Sequence, residues 1–111
     1  MHELSICSAI ASTAAKHADG RPVSQVTVQI GHLRQVVPEA LQFSWEVVSD
    51  ATDLKDATLV IEQVPAVVEC SCGARTTLDL PILACGRCEG FDVKLVSGEE
   101  LLVVSIDLVD A

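Results

Sequence analysis

The residues best suited to chemistry lie between Glu69 and Gly90, in the stretch ECSCGARTTLDLPILACGRCEG. It holds four of the five cysteines as two close pairs, Cys70 with Cys72 and Cys85 with Cys88. A thiolate is a soft, anionic ligand. Two nearby pairs can close a tetrahedron around Zn²⁺ with no open position, which is the arrangement of a structural site. Gly73 and Gly86 stand beside these cysteines, where a tight reversal around a metal calls for a backbone that glycine tolerates. The second pair has the ordinary C-x-x-C spacing of a zinc ribbon, while the first, C-x-C, is one residue shorter.

Disulfides and catalytic thiols are the competing uses of such cysteines. Disulfides need an oxidising compartment, and the opening MHELSICSAI lacks the basic and long apolar regions of a secretory signal. No apolar run is long enough to span a bilayer. A cytoplasmic location without membrane association is therefore expected. A redox C-x-x-C normally opens a helix, whereas Cys85-Gly-Arg-Cys88 is followed by Glu89-Gly90 and then a strand pattern. Zinc is the use that the pattern favours.

A second constellation sits at Met1-His2-Glu3. A bulky His2 leaves the initiator Met1 in place, so the α-amine lies one residue from an imidazole. If the His2 amide ionises, the amine, that amide nitrogen and a ring nitrogen can wrap one ion in fused chelate rings. Three nitrogens in a plane suit Ni²⁺ or Cu²⁺ better than Zn²⁺, and Glu3 is placed to add an oxygen. The other histidines have plainer readings. His17 stands at the end of a helical pattern, where an imidazole complements the helix dipole, and His32 lies in a loop.

Charge and length bound the rest. The chain has 111 residues, one Trp, two Phe and no Tyr, so a single small domain must build its core from Val, Leu, Ile and Ala. A metal staple helps a chain of this size. The net charge of −9 would repel phosphate backbones, so no nucleic-acid partner is expected. It suits a positive partner or cargo, a metal cation included. No Ser/His/Asp set, phosphate loop or paired carboxylates at catalytic spacing is present, so an enzyme is not expected.

The elements that must position these residues follow from periodicity. Leu4, Cys7, Ala11, Ala14, Ala15 and Ala18 recur at helical steps up to the stop at Asp19-Gly20, which makes Cys7 a buried small hydrophobe. In Val23–Ile30, Val26, Val28 and Ile30 alternate with Gln25, Thr27 and Gln29 as a strand. Pro38 opens a second helix with Leu41, Trp45 and Val48 on one face, and Ala57–Val64 reads as a second strand. Phe91, Val93 and Leu95 alternate after the cysteines, Ser97–Glu100 has the length of a hairpin turn, and Leu102, Val104, Ile106 and Leu108 form a last strand. That strand is too apolar for a zinc knuckle and must return to the first sheet. The predicted fold is α+β, a small sheet of about three strands with two helices, plus an inserted zinc-ribbon-like subdomain. The predicted domains are residues 1–65 with 97–111, carrying nickel, and an inserted 66–96, carrying zinc.

The opening MHELSICSAI, the strand ending at Ile30-Gly31, the segment PEALQFSWE at Pro38–Glu46 and the late cysteine cluster together resemble the HypA/HybF family, over essentially the whole chain. The family consists of nickel metallochaperones for [NiFe]-hydrogenase maturation. The resemblance implies Ni(II) as cargo bound through His2 and its neighbours, and structural Zn(II) held by Cys70, Cys72, Cys85 and Cys88. It also implies delivery to the hydrogenase large subunit alongside a HypB-type GTPase, with urease maturation factors as further partners in some members. The family commonly has C-x-x-C in both halves, so Cys70-Ser-Cys72 departs from its pattern. Two other functions compete with a nickel carrier: a zinc-ribbon interaction module with an inert N-terminus, and a thiol-dependent redox enzyme.

Overall fold

Helix formers uninterrupted by proline or glycine run from Glu3 to Ala18, and they form helix α1 in the computed structural model, which describes residues 3–80 and 82–109. Glu3 lies in its first turn and Lys16 and His17 in its last, each sign complementing the helix dipole. Asp19 and Gly20, with φ of 51° and 81°, end it in the left-handed region. The buried stripe is Cys7, Ile10, Ala11, Ala14 and Ala18. Leu4 and Ala15 are exposed, contrary to the sequence pattern, because they lie on the opposite edge of that stripe from Ile10.

The chain divides into two compact units, one of residues 1–29, 36–62 and 102–111, the other of 30–35 and 63–101. In the first, α1 packs on α2 (Pro38–Asp50), where Pro38 fixes the first turn and Leu41, Trp45 and Ser49 face inward. Two hydrogen bonds dock α2: Trp45 Nε1 donates to the Ala57 carbonyl at 3.0 Å, and Gln42 Nε2 donates to the Leu59 carbonyl at 2.8 Å. In a core with so few aromatics, the indole supplies bulk while its one polar atom stays paired.

Strand β1 (Val23–Gly31) is the middle of a sheet ordered β2-β1-β6, with β2 at Thr58–Val64 and β6 at Leu101–Leu108. Val109 N donates to Pro22 O and Gly31 N to Glu100 O, so β6 runs antiparallel to β1. The last strand thus returns to the first sheet as its apolar pattern requires. Three details depart from the pattern. Thr27 is buried beside Val26 and Val28, in the middle strand between β2 and β6 and between the half-buried Gln25 and Gln29; its hydroxyl accepts from Gln25 Nε2 at 3.4 Å. Leu102 and Val104 are exposed, while Leu101 and Val103 are half-buried, as befits an edge strand. Phe91 is exposed and precedes β5, which begins at Val93.

The second unit is a sheet ordered β4-β3-β5, built from β3 (Val67–Cys70), β4 (Arg75–Thr77) and β5 (Val93–Ser97), all antiparallel. Its core is small: Ala66, Val68 and Leu78, with Leu33, Val93 and Leu95 packed against it. Ser97–Glu100 is not a hairpin turn. It passes the chain from β5 in one sheet to β6 in the other, so the strands it joins do not pair. Here the backbones nearly touch: Leu33 N donates to Gly98 O at 2.9 Å, and a Cβ on Gly31 would collide with the Gly98 carbonyl. Gly31 has φ −71° and ψ 145°, which any residue can adopt, so glycine is required there by space alone.

Gly31→Ala is therefore expected to cost about 3 kcal/mol or more through overpacking. Gly20→Ala, where nothing lies within 4 Å but φ is +81°, should cost only about 1 kcal/mol. Thermal unfolding of the two variants measures the contrast.

Candidate metal centre

The short C-x-C spacing is resolved by a tight turn. Gly73 N donates to Cys70 O and Cys70 N to Ala74 O, each at 2.9 Å, closing a reversal between β3 and β4. Gly73 has φ +93° with open space around it, so here the backbone conformation, not crowding, calls for glycine. The turn presents the Cys70 and Cys72 sulfurs together. Cys70 is further fixed in the middle strand by its pairing with Val93.

The second pair forms a knuckle. Cys85 N donates to Gly90 O at 2.9 Å, and Glu89 N donates to Cys85 O at 3.0 Å. Inside it, the amides of Arg87 and Cys88 both point at the Cys85 sulfur from 3.4 Å. Thr76 on β4 joins the two halves, its hydroxyl accepting from Gly86 N at 2.9 Å. Glu89 holds φ 62°, a left-handed position that usually falls to glycine.

All four sulfurs lie within 4.8 Å of one another. Cys70 and Cys88 approach to 3.5 Å, and Cys72 and Cys85 to 3.7 Å. Thiolates bound at about 2.3 Å in a regular tetrahedron stand ~3.8 Å apart. The donor set therefore fits a closed four-sulfur metal site, and the sequence-predicted ligands Cys70, Cys72, Cys85 and Cys88 are brought together. Cys70 and Cys85 are buried and Cys72 and Cys88 exposed, so the cluster has one dry side and one wet side.

Its electrostatics differ from sulfur to sulfur. The Cys88 and Arg87 amides stabilise the Cys85 thiolate and lower its pKa to about 6. Cys88 moves the other way, to about 11. The Gly90 backbone pulls it down, but hydrogen bonding with the sulfurs of Cys70 and Cys85 outweighs that pull. Without a cation, one thiolate discourages the next. A bound dication removes this conflict by deprotonating every ligand.

Cys7 stands apart. It is fully buried on α1, its S–H donates to Leu41 O at 3.3 Å, and burial together with Glu3 pushes it to about 11. It behaves as a small core side chain whose weak S–H donor ties α1 to the backbone of α2. Glu3 is half-buried at the start of α1, while Met1 and His2 lie outside the described residues. His17 Nδ1 is 2.9 Å from Thr13 O within its own helix, as expected of an imidazole in the last turn. His32 Nε2 lies 3.4 Å from Asp79 O. Periodicity gave no sign of Thr76 or Gly90, which support the ligands through hydrogen bonds to Gly86 N and Cys85 N that no alternation pattern encodes.

Comparison with known proteins gives a consistent picture. The family model described as "Hydrogenase/urease nickel incorporation, metallochaperone, hypA" matches residues 1–108. The chain is 40% identical over 109 residues to the hydrogenase maturation factor HypA of Geobacter metallireducens, covering 97% of this chain and 99% of that one. It is 42% identical over 112 residues to the HypA of Chloroflexus aurantiacus, covering 96% and 98%. The solution structure of the Ni metallochaperone HypA from Helicobacter pylori superposes with a TM-score of 0.71 over all of both chains, at 22% identity, which shows a shared fold.

Three substitutions test the assignment of roles within the centre. Cys85→Ala should lose the bound metal and unfold the second unit while the β2-β1-β6 sheet persists, as read by metal content and amide exchange. Thr76→Val should keep the metal but weaken its binding about 10- to 100-fold, the usual effect of removing a group that orients ligands. Cys7→Ala should keep full metal content and cost about 1–2 kcal/mol of stability.

Proposed function

The chain belongs to the HypA family of hydrogenase/urease nickel-incorporation metallochaperones, and from that premise we propose that it carries Ni(II) at its N-terminus and helps insert it into the [NiFe]-hydrogenase large subunit. It is a maturation factor, not an enzyme. The observation that carries the reading is the family match running from residue 1 through both cysteine pairs, which takes in Met1-His2-Glu3 and the four-sulfur cluster together.

In this proposal the nickel ligands are the Met1 amine, the His2 amide and imidazole nitrogens, and an oxygen from Glu3. Glu3 opens α1, so the chelate grows directly from a packed helix. A nitrogen-rich planar set favours Ni(II), while four soft thiolates in a closed tetrahedron favour Zn(II), so the two ions sort by donor chemistry. Zinc, held by Cys70, Cys72, Cys85 and Cys88, is structural, and it supplies the cohesion that the small core of the second unit lacks. Nickel is cargo. Its site releases metal when the amine and imidazole take up protons.

We assign nickel handling to residues 1–65 with 97–111 and zinc binding to residues 66–96. A role in hydrogenase maturation entails contact with other maturation proteins. The proposed partners are a HypB-type GTPase and the large subunit, with urease maturation factors as further clients. The proposed location is cytoplasmic, and among the described residues no helix is long and apolar enough to cross a membrane.

Two variants test the nickel site. His2→Ala removes one ligand, and a Gly inserted before Met1 moves the amine away while keeping every side chain. Losing one of three or four ligands should weaken nickel binding about a hundredfold or more, at ~1.4 kcal/mol per decade. The fold and one zinc per chain should remain. Nickel binding by the parent chain should also strengthen from mildly acidic to neutral pH. Isothermal titration with Ni(II) and metal analysis decide the matter. Parent-like nickel affinity in either variant would leave a zinc-ribbon interaction module as the better reading.

A further inference from the structure

Helix α2 buries Leu41, Trp45 and Ser49 on one side. The opposite side is not the solvated polar face that such a helix normally shows. At 3.6 residues per turn, Glu39, Phe43, Glu46, Val47 and Asp50 fall within one outward stripe. Phe43 is 63% exposed and Val47 is 53% exposed, one turn apart. Glu39, Glu46 and Asp50 are also exposed and border them along one side. The helix carries no Lys, Arg or His, and among the described residues the only ion pair is Arg75–Glu69, in the other unit. An aromatic and a valine are thus held out to water beside a row of carboxylates that no ion pair engages among the described residues.

Folding does not account for this arrangement. Phe43 is one of only two phenylalanines in a chain whose core is short of aromatics, yet it is turned outward. An exposed aromatic bordered by charge has the anatomy of a protein interface, in which the apolar part supplies affinity and the charged border supplies orientation and encounter rate. Charge complementarity selects the occupant. Three uncompensated carboxylates on a chain of net charge −9 repel a second copy and attract a cationic surface.

We propose that the Glu39–Phe43–Glu46–Val47–Asp50 stripe of α2 is the docking surface for the partner GTPase of the maturation set, engaging an apolar pocket rimmed by Lys or Arg. The assignment rests on the partner named under Proposed function, but it does not depend on where nickel binds.

The test uses the full-length, zinc-loaded chain and the purified cognate GTPase, with kinetics followed by surface plasmon resonance at several salt concentrations. Phe43→Ala should weaken the affinity tenfold or more through faster dissociation, with the salt dependence unchanged. Its thermal stability, zinc content and nickel affinity should match the parent, because Phe43 contributes little to the core. The triple variant Glu39→Gln/Glu46→Gln/Asp50→Asn should instead slow association and flatten the salt dependence. Phe91→Ala, which removes an even more exposed aromatic from the second unit, should bind as the parent does. Parent-like binding by Phe43→Ala, a loss caused by Phe91→Ala instead, or no binding of the GTPase by the parent chain would each overturn the proposal. So would a Phe43-dependent dimer in analytical ultracentrifugation, which would give the stripe to a second copy. Because nickel affinity is measured separately, failure of the docking surface and failure of the nickel reading give different results.

Discussion

Four sulfurs within 4.8 Å of one another are the constraint on which the second unit depends. Aliphatic packing cannot satisfy it, since thiolates this close together repel one another unless a cation lies between them. Nor can the unit do without it, because its buried apolar core amounts to Ala66, Val68 and Leu78. The β4-β3-β5 sheet, the turn at Gly73 and the knuckle closed by Gly90 all serve to deliver sulfur atoms to one point. In the reading proposed above, cohesion there is borrowed from an ion, which would make folding and metal binding a single equilibrium.

The first unit solves the opposite problem. It has an apolar core but few large side chains with which to fill it, so α1 presents alanines and a cysteine and lets α2 come close. Trp45 supplies the one large plug, and its indole N–H is paired with a carbonyl rather than buried unpaired. Cys7 shows how far context governs a cysteine. Placed between two helices, its thiol is pushed up by burial and donates to Leu41 O. Placed in a knuckle under two amides, the same group in Cys85 is pulled down toward a thiolate.

A carrier for one metal that contains another must keep them apart chemically. Here the proposed cargo site uses hard and borderline nitrogen donors at a chain end, and the structural site uses soft sulfur donors locked in a sheet. The locked site has no open position, so it has little use for exchange, while a terminal chelate can open as protons return. The exposed apolar stripe on α2 is a third element, the surface proposed above for a partner.

By itself, the sequence determined the two helices and the strands β1, β2, β5 and β6 in their order, though not β3 or β4, together with the buried status of Cys7, the return of the last strand to the first sheet and the four candidate thiolates. These depend on local periodicity, on turn residues and on ligand spacing, which a chain carries wherever it folds. The tertiary structure alone decided which edge of a stripe faces inward, burying Ile10 and leaving Leu4 in water. It decided that Ser97–Glu100 crosses between two sheets instead of closing a hairpin, and that residues 30–35 group with the metal-binding unit. It brought Thr76 to the Gly86 amide, and it made Gly31 indispensable through the nearness of Gly98 rather than through its own backbone angles. These outcomes share one cause. Each depends on separate segments meeting in space, from ten residues apart at Thr76 and Gly86 to opposite ends of the chain, and no local pattern encodes which segments will meet.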